Sequence, residues 1–212
     1  MAGGRFALYN VTTGYGGNTA FGDEALLANT TGVRNTAFGA SALFYNRGDN
    51  NTAIGQSALY FNTTGVGNTA TGSFALLGNT TGNFNNANGV SALQENTTGG
   101  YNTATGSEAL FDNTTGYYNT ATGTSALYLN TTGVSNTATG TFALYSNTTG
   151  YYNTATGTSA FTSTPRASAI PPMDCRPGRE TPPEPTIPSL AMKLTPMQGT
   201  IRMEPRWGTV RC

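Results

Sequence analysis

A phrase of 17 residues is repeated nine times along this chain, and no other feature restricts its fold as strongly. Its consensus is N-T-A-x-G-x-x-A-L-x-x-N-T-T-G-x-x, and the second repeat is one residue shorter, at 16. We number the repeat positions from the leading asparagine, which is Asn18, Asn35, Asn51, Asn68, Asn85, Asn102, Asn119, Asn136 and Asn153. Units this small cannot bury a core alone, so consecutive repeats must stack on each other.

Four positions of the repeat keep the same small or apolar residue. Positions 3 and 8 are always Ala, position 5 is always Gly, and position 9 is Leu until Phe161. Fixed small residues beside variable neighbours are typical of strands that turn one side into a narrow interior. A helix is disfavoured, because N-T-T-G is turn chemistry and frequent Gly and Thr weaken helices.

The sequence therefore predicts an all-β fold, a β-solenoid or parallel β-roll over residues 6–163. We expect each repeat to form one coil with two short strands, N-T-A-x-G and A-L-x-x-N, and the asparagines to stack into ladders. Three apolar residues per coil make a thin core, which favours a homotrimer or an end-to-end fibre. The residues assigned to the ladder and its core are Asn51, Asn68, Asn102, Asn119, Asn136, Ala121, Gly123, Ala126 and Leu127.

One stretch resembles a known group of proteins. Asn51–Leu59, "NTAIGQSAL", and the "NTTG" that follows are similar to repeats of trimeric fibre proteins, including tail-fibre-like proteins and the β-roll heads of trimeric autotransporter adhesins. The resemblance covers roughly residues 6–163 and implies a left-handed parallel β-roll of three chains, extracellular, on a cell surface or on a virion. The adhesin repeat is typically shorter, and no stalk, anchor or chaperone domain is recognisable here.

The composition changes sharply after Ser163. Residues 164–212 hold all ten prolines and both cysteines, Cys175 and Cys212, which predicts a Pro-rich, disordered tail. A second hypothesis is that this tail is an out-of-frame reading of more repeat. Reading each codon from the last base of one residue and the first two bases of the next forces Met173–Asp174 to encode Gly, and the degenerate junctions permit N-T-T-G-I-G-N-T-A-Y-G. The encoding DNA tests this hypothesis directly.

Several function classes are disfavoured by composition. The chain has no His, so a His-based triad or metal site is excluded. Residues 1–163 contain no Lys and three Arg, which is too few for nucleic-acid binding, and the acidic residues of the repeats do not recur in register as calcium repeats require. No apolar run is long enough for membrane insertion, and no export signal is visible. We expect no enzymatic activity and no cofactor or metal.

Three surface features remain as candidate sites. The first is a Thr-x-Thr column that resembles ice-binding surfaces, although Thr is also a good exposed-strand residue. Its candidate contact residues are Thr103, Thr105, Thr120, Thr122, Thr137 and Thr139. The second is aromatic, with candidate contacts Tyr117, Tyr118, Tyr151 and Tyr152, which either bind carbohydrate or a partner surface or stack coil on coil.

The third feature is a row of N-T-T glycosylation sequons, which are alternatively only the corner of each coil, with the Asn buried in its ladder. The candidate residues are Asn29, Asn62, Asn79, Asn96, Asn113, Asn130 and Asn147. Taken together, the sequence predicts a structural or adhesive rod segment that self-associates and contacts a surface glycan or receptor. The alternatives are an ice-binding solenoid and a glycosylated structural fibril.

Overall fold

The computed structural model of the chain describes residues 2–10 and 16–161, all within the first of the chain's two units, Met1–Pro171. These residues form ten short strands and no helix. The strands are β1 Ala2–Gly3, β2 Thr19–Phe21, β3 Thr36–Phe38, β4 Thr52–Ile54, β5 Thr69–Thr71, β6 Asn86–Asn88, β7 Thr103–Thr105, β8 Thr120–Thr122, β9 Thr137–Thr139 and β10 Thr154–Thr156. The predicted tail, 164–212, lies outside the described residues.

All ten strands belong to one sheet, in which neighbours follow chain order and every pair is parallel. From β2 onward each residue lies beside its equivalent in the next repeat: Ala104 pairs with Ala121, and Ala121 with Ala138. Parallel pairing of consecutive repeats requires the chain to go once around before it returns. One repeat is therefore one turn, and the predicted parallel β-solenoid is confirmed.

The second strand predicted for each coil is wrong, because A-L-x-x-N forms a run of tight turns. In the first repeat, the Ala25 N–H donates to the Gly22 carbonyl at 3.3 Å and the Leu27 N–H to the Glu24 carbonyl at 3.2 Å. Ala25 and Leu26 are both fully buried, whereas successive side chains of a strand point to opposite faces. Two adjacent inward residues therefore need a turn.

These turns place ordinary residues in the left-handed region at positions 7 and 9 of every coil. Glu24 and Leu26 have φ angles of 57° and 53°, a conformation that costs an L-residue roughly 1–2 kcal/mol. The amides of the same residues are tied to the neighbouring coils, Glu24 to the Arg5 carbonyl at 2.8 Å and Leu26 to the Ala42 carbonyl at 3.0 Å. Stacking therefore stabilises turns that one coil alone would not hold.

The core is a column of Ala and Leu enclosed by a single chain. In the coil that begins at Asn119, the side chains of Ala121, Ala126 and Leu127 are fully buried, and the same three positions are buried in the other coils from Ala20 to Leu144. The predicted core is therefore confirmed. Because one chain covers it, burial of this core does not by itself require a second copy.

Position 5 requires glycine for a steric reason as well as a conformational one. Gly123 has a φ of 130°, and a Cβ on it would lie 2.6 Å from the carbonyl carbon of Gly140 in the next coil. Any larger residue would push the coils apart at this corner. The glycine predicted for a corner of close backbone approach is confirmed.

The short repeat lacks one residue, and the change is confined to one corner of the coil. Arg47 and Gly48 replace Thr-Thr-Gly, and Arg47 takes the stacking role of the first Thr: its N–H donates to the Thr63 carbonyl at 2.9 Å, and its carbonyl accepts from the Thr31 hydroxyl at 3.3 Å. The next repeat begins in register, with Asn51 fully buried. A one-residue deletion therefore leaves the sheet undisturbed.

Candidate functional site

The leading asparagines form a ladder along the rod, which we call the position-1 ladder (Asn18, Asn35, Asn51, Asn68, Asn85, Asn102, Asn119, Asn136 and Asn153). The Asn119 Oδ1 accepts from the backbone N–H of Asn136 at 3.0 Å and from its Nδ2 at 3.0 Å. The Nδ2 of Asn136 also donates to the Gly150 carbonyl at 2.7 Å. The same arrangement links Asn51 to Asn68, so the predicted Asn ladder is confirmed.

A second ladder runs beside it, the position-12 ladder (Asn29, Asn46, Asn62, Asn79, Asn96, Asn113, Asn130 and Asn147). The Nδ2 of Asn79 donates to the Asn62 Oδ1 at 2.7 Å and to the Gly82 carbonyl at 3.0 Å. The Gly82 carbonyl also accepts from the Nδ2 of Asn68, at 2.8 Å. The carbonyl at position 15 therefore joins the two ladders, a role that the sequence analysis missed although the Gly of N-T-T-G is constant.

The ladders satisfy the polar groups that they bury. Every buried side-chain nitrogen and oxygen in the described part of the chain has a hydrogen-bond partner. A buried polar group that lost its partner would cost about 1–3 kcal/mol, and a shift in register would orphan such groups in every coil. The two ladders therefore fix the register of the stack.

The candidate glycosylation residues lie in the position-12 ladder. All seven are almost fully buried, with exposures of 0–1%, and the Nδ2 that would carry a glycan donates to ladder acceptors, as in Asn113. Glycosylation of these residues stays a prediction, and it would have to displace the ladder bonds. Asn10, which begins N-V-T before the first full repeat, is exposed instead.

The candidate threonines lie on one face of the sheet. In β7 to β10 the strand sequence is T-A-T, with the Ala turned inward and both threonines exposed. We call this array the threonine face, and its members are Thr103, Thr105, Thr120, Thr122, Thr137, Thr139, Thr154 and Thr156. They stack in two columns because the strands pair in register.

Threonines elsewhere in the repeat have a different role. At position 13 the hydroxyl donates to a backbone carbonyl of the next coil, as Thr97 does to Thr114 and Thr114 to Thr131, at 2.9 and 3.0 Å. The signal for this column, not recognised in the sequence analysis, was the first Thr of N-T-T-G, which recurs in every coil that begins at Asn18 to Asn136 except the short one, where Arg47 replaces it. The hydroxyls of the threonine face form no such bond within residues 16–161.

The same sheet carries a different column at its N-terminal end. Position 4 is Phe21, Phe38 and Ile54 in β2 to β4, with exposures of 55, 43 and 44%. The rings of Phe21 and Phe38 are stacked with centroids 5.9 Å apart. We call these three residues the apolar column. Between it and the threonine face lie β5 (Thr-Ala-Thr) and β6 (Asn-Ala-Asn).

Aromatic residues at positions 10 and 17 stack coil on coil. Phe111, Tyr128 and Tyr145 have ring centroids 5.0 and 5.1 Å apart with interplanar angles of 4 and 11°. Tyr101 and Tyr118 stack in the same way, 5.1 Å apart. Their ring faces lie against each other, which favours the structural role over carbohydrate stacking.

The tyrosine pairs at positions 16 and 17 are less regular. Tyr117 and Tyr118 are tilted by 46° and Tyr151 and Tyr152 by 84°, so the neighbouring rings do not stack. The Tyr117 hydroxyl donates to the Thr98 carbonyl at 2.7 Å. Tyr152 is the most exposed of the four at 72%, so its ring is open to a partner.

Acidic side chains lie close together on the side of the rod that the A-L-x-x-N turns form, which we call the turn-built side. Burial, and then the neighbouring Glu95 carboxylate, raise the pKa of Asp112 above its ordinary value. Burial also raises the pKa of Tyr128, with smaller contributions from Glu108 and Asp112. Among the described residues there is no cluster of three or more acidic, His or Cys side chains suited to a metal, and no helix able to span a membrane.

No protein-family model, curated protein or solved structure matches this chain.

Proposed function

We propose that this chain is a structural or adhesive rod segment of a fibre, displayed outside a cell or on a virion. The observation that supports it most is the pair of buried asparagine ladders, which recur in the coils that begin at Asn18 to Asn136. A rod tied by the same bonds at each step resists bending, while its outward positions are free to vary. Stiffness with a variable exterior is what a spacer or an adhesive shaft requires.

The proposed homotrimer is supported by the outside of the rod. The apolar column presents Phe21, Phe38 and Ile54 on a flat sheet, and each is between 43 and 55% exposed. Contiguous exposed apolar side chains often mark contact surfaces in soluble proteins. Covering this column with the same column of two other chains would remove it from water.

The proposed adhesive contact is supported by the open Tyr152. Its side chain is 72% exposed and combines an apolar ring with a polar hydroxyl. Such side chains are enriched at interfaces. The partner we propose is a surface glycan or a receptor, recognised at the corner formed by positions 16 and 17.

The test is the molar mass and shape of the full 212-residue chain in solution. Light scattering, small-angle X-ray scattering and circular dichroism would be measured on one sample. We expect a β-rich trimer whose repeats form a rod segment roughly 40 Å long, at about 4.8 Å per coil. A β-rich monomer would contradict the trimer alone, whereas a random-coil spectrum with chain-like scattering would contradict the rod.

A further inference from the structure

The threonine face is a repeating, two-dimensional array of one chemical group. Its eight side chains lie on four adjacent strands, two per strand, in register. The strand geometry sets the spacing at about 4.8 Å along each column and about 6.6 Å between the columns. Each point of this lattice carries one hydroxyl and one methyl group.

The hydroxyls of this face are available to solvent. Within residues 16–161 they have no protein partner, in contrast to the position-13 threonines, whose hydroxyls are bonded to carbonyls such as that of Thr131. Each free hydroxyl can donate one hydrogen bond and accept two. No group in the described part of the chain competes with water for these eight hydroxyls.

The array is also held rigidly. β7, β8 and β9 are each paired in parallel to two neighbours and β10 is paired to β9, and the buried ladder residues Asn119 and Asn136 lie directly before β8 and β9. Threonine is β-branched, which restricts its first side-chain torsion. These side chains are thus already ordered in the folded chain, whereas the groups of a flexible surface would lose conformational entropy on binding.

The chemistry of the face limits what it binds. Residues 103–105, 120–122, 137–139 and 154–156 carry no charge and no aromatic ring, so an anionic ligand has no cation to pair with and a sugar has no ring to stack on. A lattice of identical donors and acceptors at molecular spacing matches a ligand with such a lattice of its own. We infer that the threonine face binds ice, by ordering water on its hydroxyl columns into the crystal lattice.

The rest of the sheet is unsuited to this role. The apolar column places exposed Phe21, Phe38 and Ile54 where the threonine face has hydroxyls, and β6 replaces both threonines with the longer Asn86 and Asn88. β5 is also Thr-Ala-Thr, but β6 separates it from the threonine face, so the continuous ice-binding area is confined to β7 to β10. The inference depends on the fold alone and holds whether or not the rod is part of a fibre.

Two matched substitutions in one coil test the inference. Thr122→Phe places a ring in the middle of the face, at a repeat position that Phe21 and Phe38 already occupy. Leu129→Phe is the control: it lies on the turn-built side of the same coil, at a position that Phe61 occupies in another repeat. Both changes therefore suit the coil, and circular dichroism and the melting temperature verify the fold of each variant.

The measurements are the partition of the full chain into slowly growing ice and its thermal hysteresis in solution. We expect the unaltered chain and Leu129→Phe to enter the ice and Thr122→Phe to be excluded from it. Exclusion of the unaltered chain would overturn the inference. Equal incorporation of both variants would also overturn it, and so would retention on crystalline cellulose without entry into ice. If Thr122→Phe fails to fold, Thr139→Phe repeats the test in the next coil.

Discussion

The first three repeats and the last four share an interior and differ on the outside. Leu43 and Leu127 are fully buried in equivalent sites, and Asn35 and Asn119 occupy the same ladder. Outside, the first repeats carry the apolar column and all the arginines of the described coils 18–161, whereas residues 102–161 contain two charged residues, Glu108 and Asp112. The difference shows that one scaffold supports two surfaces, an apolar one at one end and a hydroxyl one at the other.

The largest expected effect tests whether the two interiors are equivalent. Leu127→Ala removes the only large side chain of its coil's core, and Leu43→Ala does the same near the other end. We expect each to lower the free energy of unfolding by about 2–5 kcal/mol, because the narrow coil cannot collapse around the cavity. Urea denaturation followed by circular dichroism measures both. A much smaller loss at one end would show that the interiors differ.

The next effect concerns the ladder. Asn119→Leu removes the Oδ1 that accepts from the buried Asn136 N–H, and an orphaned buried donor costs about 1–3 kcal/mol. Asn35→Leu removes the equivalent acceptor of Asn51 and should cost about as much. Amide hydrogen exchange locates the damage, and we expect faster exchange in the coils on either side of the substitution. Unchanged exchange at Asn136 would argue against the ladder as the stabilising element.

A smaller effect separates the two surfaces. Phe38→Thr gives an early repeat the residue of the threonine face and breaks the stack with Phe21, 5.9 Å away. We expect a loss of about 0.5–1.5 kcal/mol in stability and, on the trimer proposal, a lower molar mass by light scattering. The control is Thr139→Ser, which alters the other surface without adding apolar area. An unchanged molar mass for Phe38→Thr would show that self-association does not depend on the apolar column.

The smallest effect depends on pH. The pKa of Asp112 is raised in the folded state by burial and by Glu95, so the folded chain holds this proton more tightly than the unfolded chain. The contribution of Asp112 to stability is greatest below its unfolded pKa and is lost as pH rises through the folded value. Asp112→Asn should therefore raise the melting temperature slightly at neutral pH, and the gain should vanish in acid.

Asp49→Asn is the comparison for this pH effect at the other end. The Asp49 Oδ1 accepts from the Val33 N–H at 2.9 Å, as the Asn83 Oδ1 accepts from the Val66 N–H at 2.8 Å. An asparagine thus already accepts this hydrogen bond in another coil, and we expect no comparable gain in melting temperature for Asp49→Asn. Equal gains for both variants would show that the effect comes from net charge and not from the Asp112 site.

Constant columns in the sequence were enough to predict the solenoid, its Ala and Leu core and its Asn ladders. Residues that stack on their own copies cannot vary independently. The constancy of the positions of Ala121 and Asn119 therefore indicates directly that these residues lie inside. The number of strands was predicted wrongly, although the sequence contained the evidence. Ala126 and Leu127 are adjacent and both inward, which alternation along a strand forbids and a left-handed Leu127, at φ 54°, allows.

The sequence by itself determined what repeats, which residues are inside and how the coils are registered, because a 17-residue period and parallel stacking leave one alignment. Only the tertiary structure decided that one chain encloses its core, that the Gly carbonyl at position 15 joins two ladders, and which threonine hydroxyls form no hydrogen bond within residues 16–161. These properties depend on how the backbone bends between positions 5 and 15. That path is set by hydrogen bonds to the coils above and below, and no single repeat contains them.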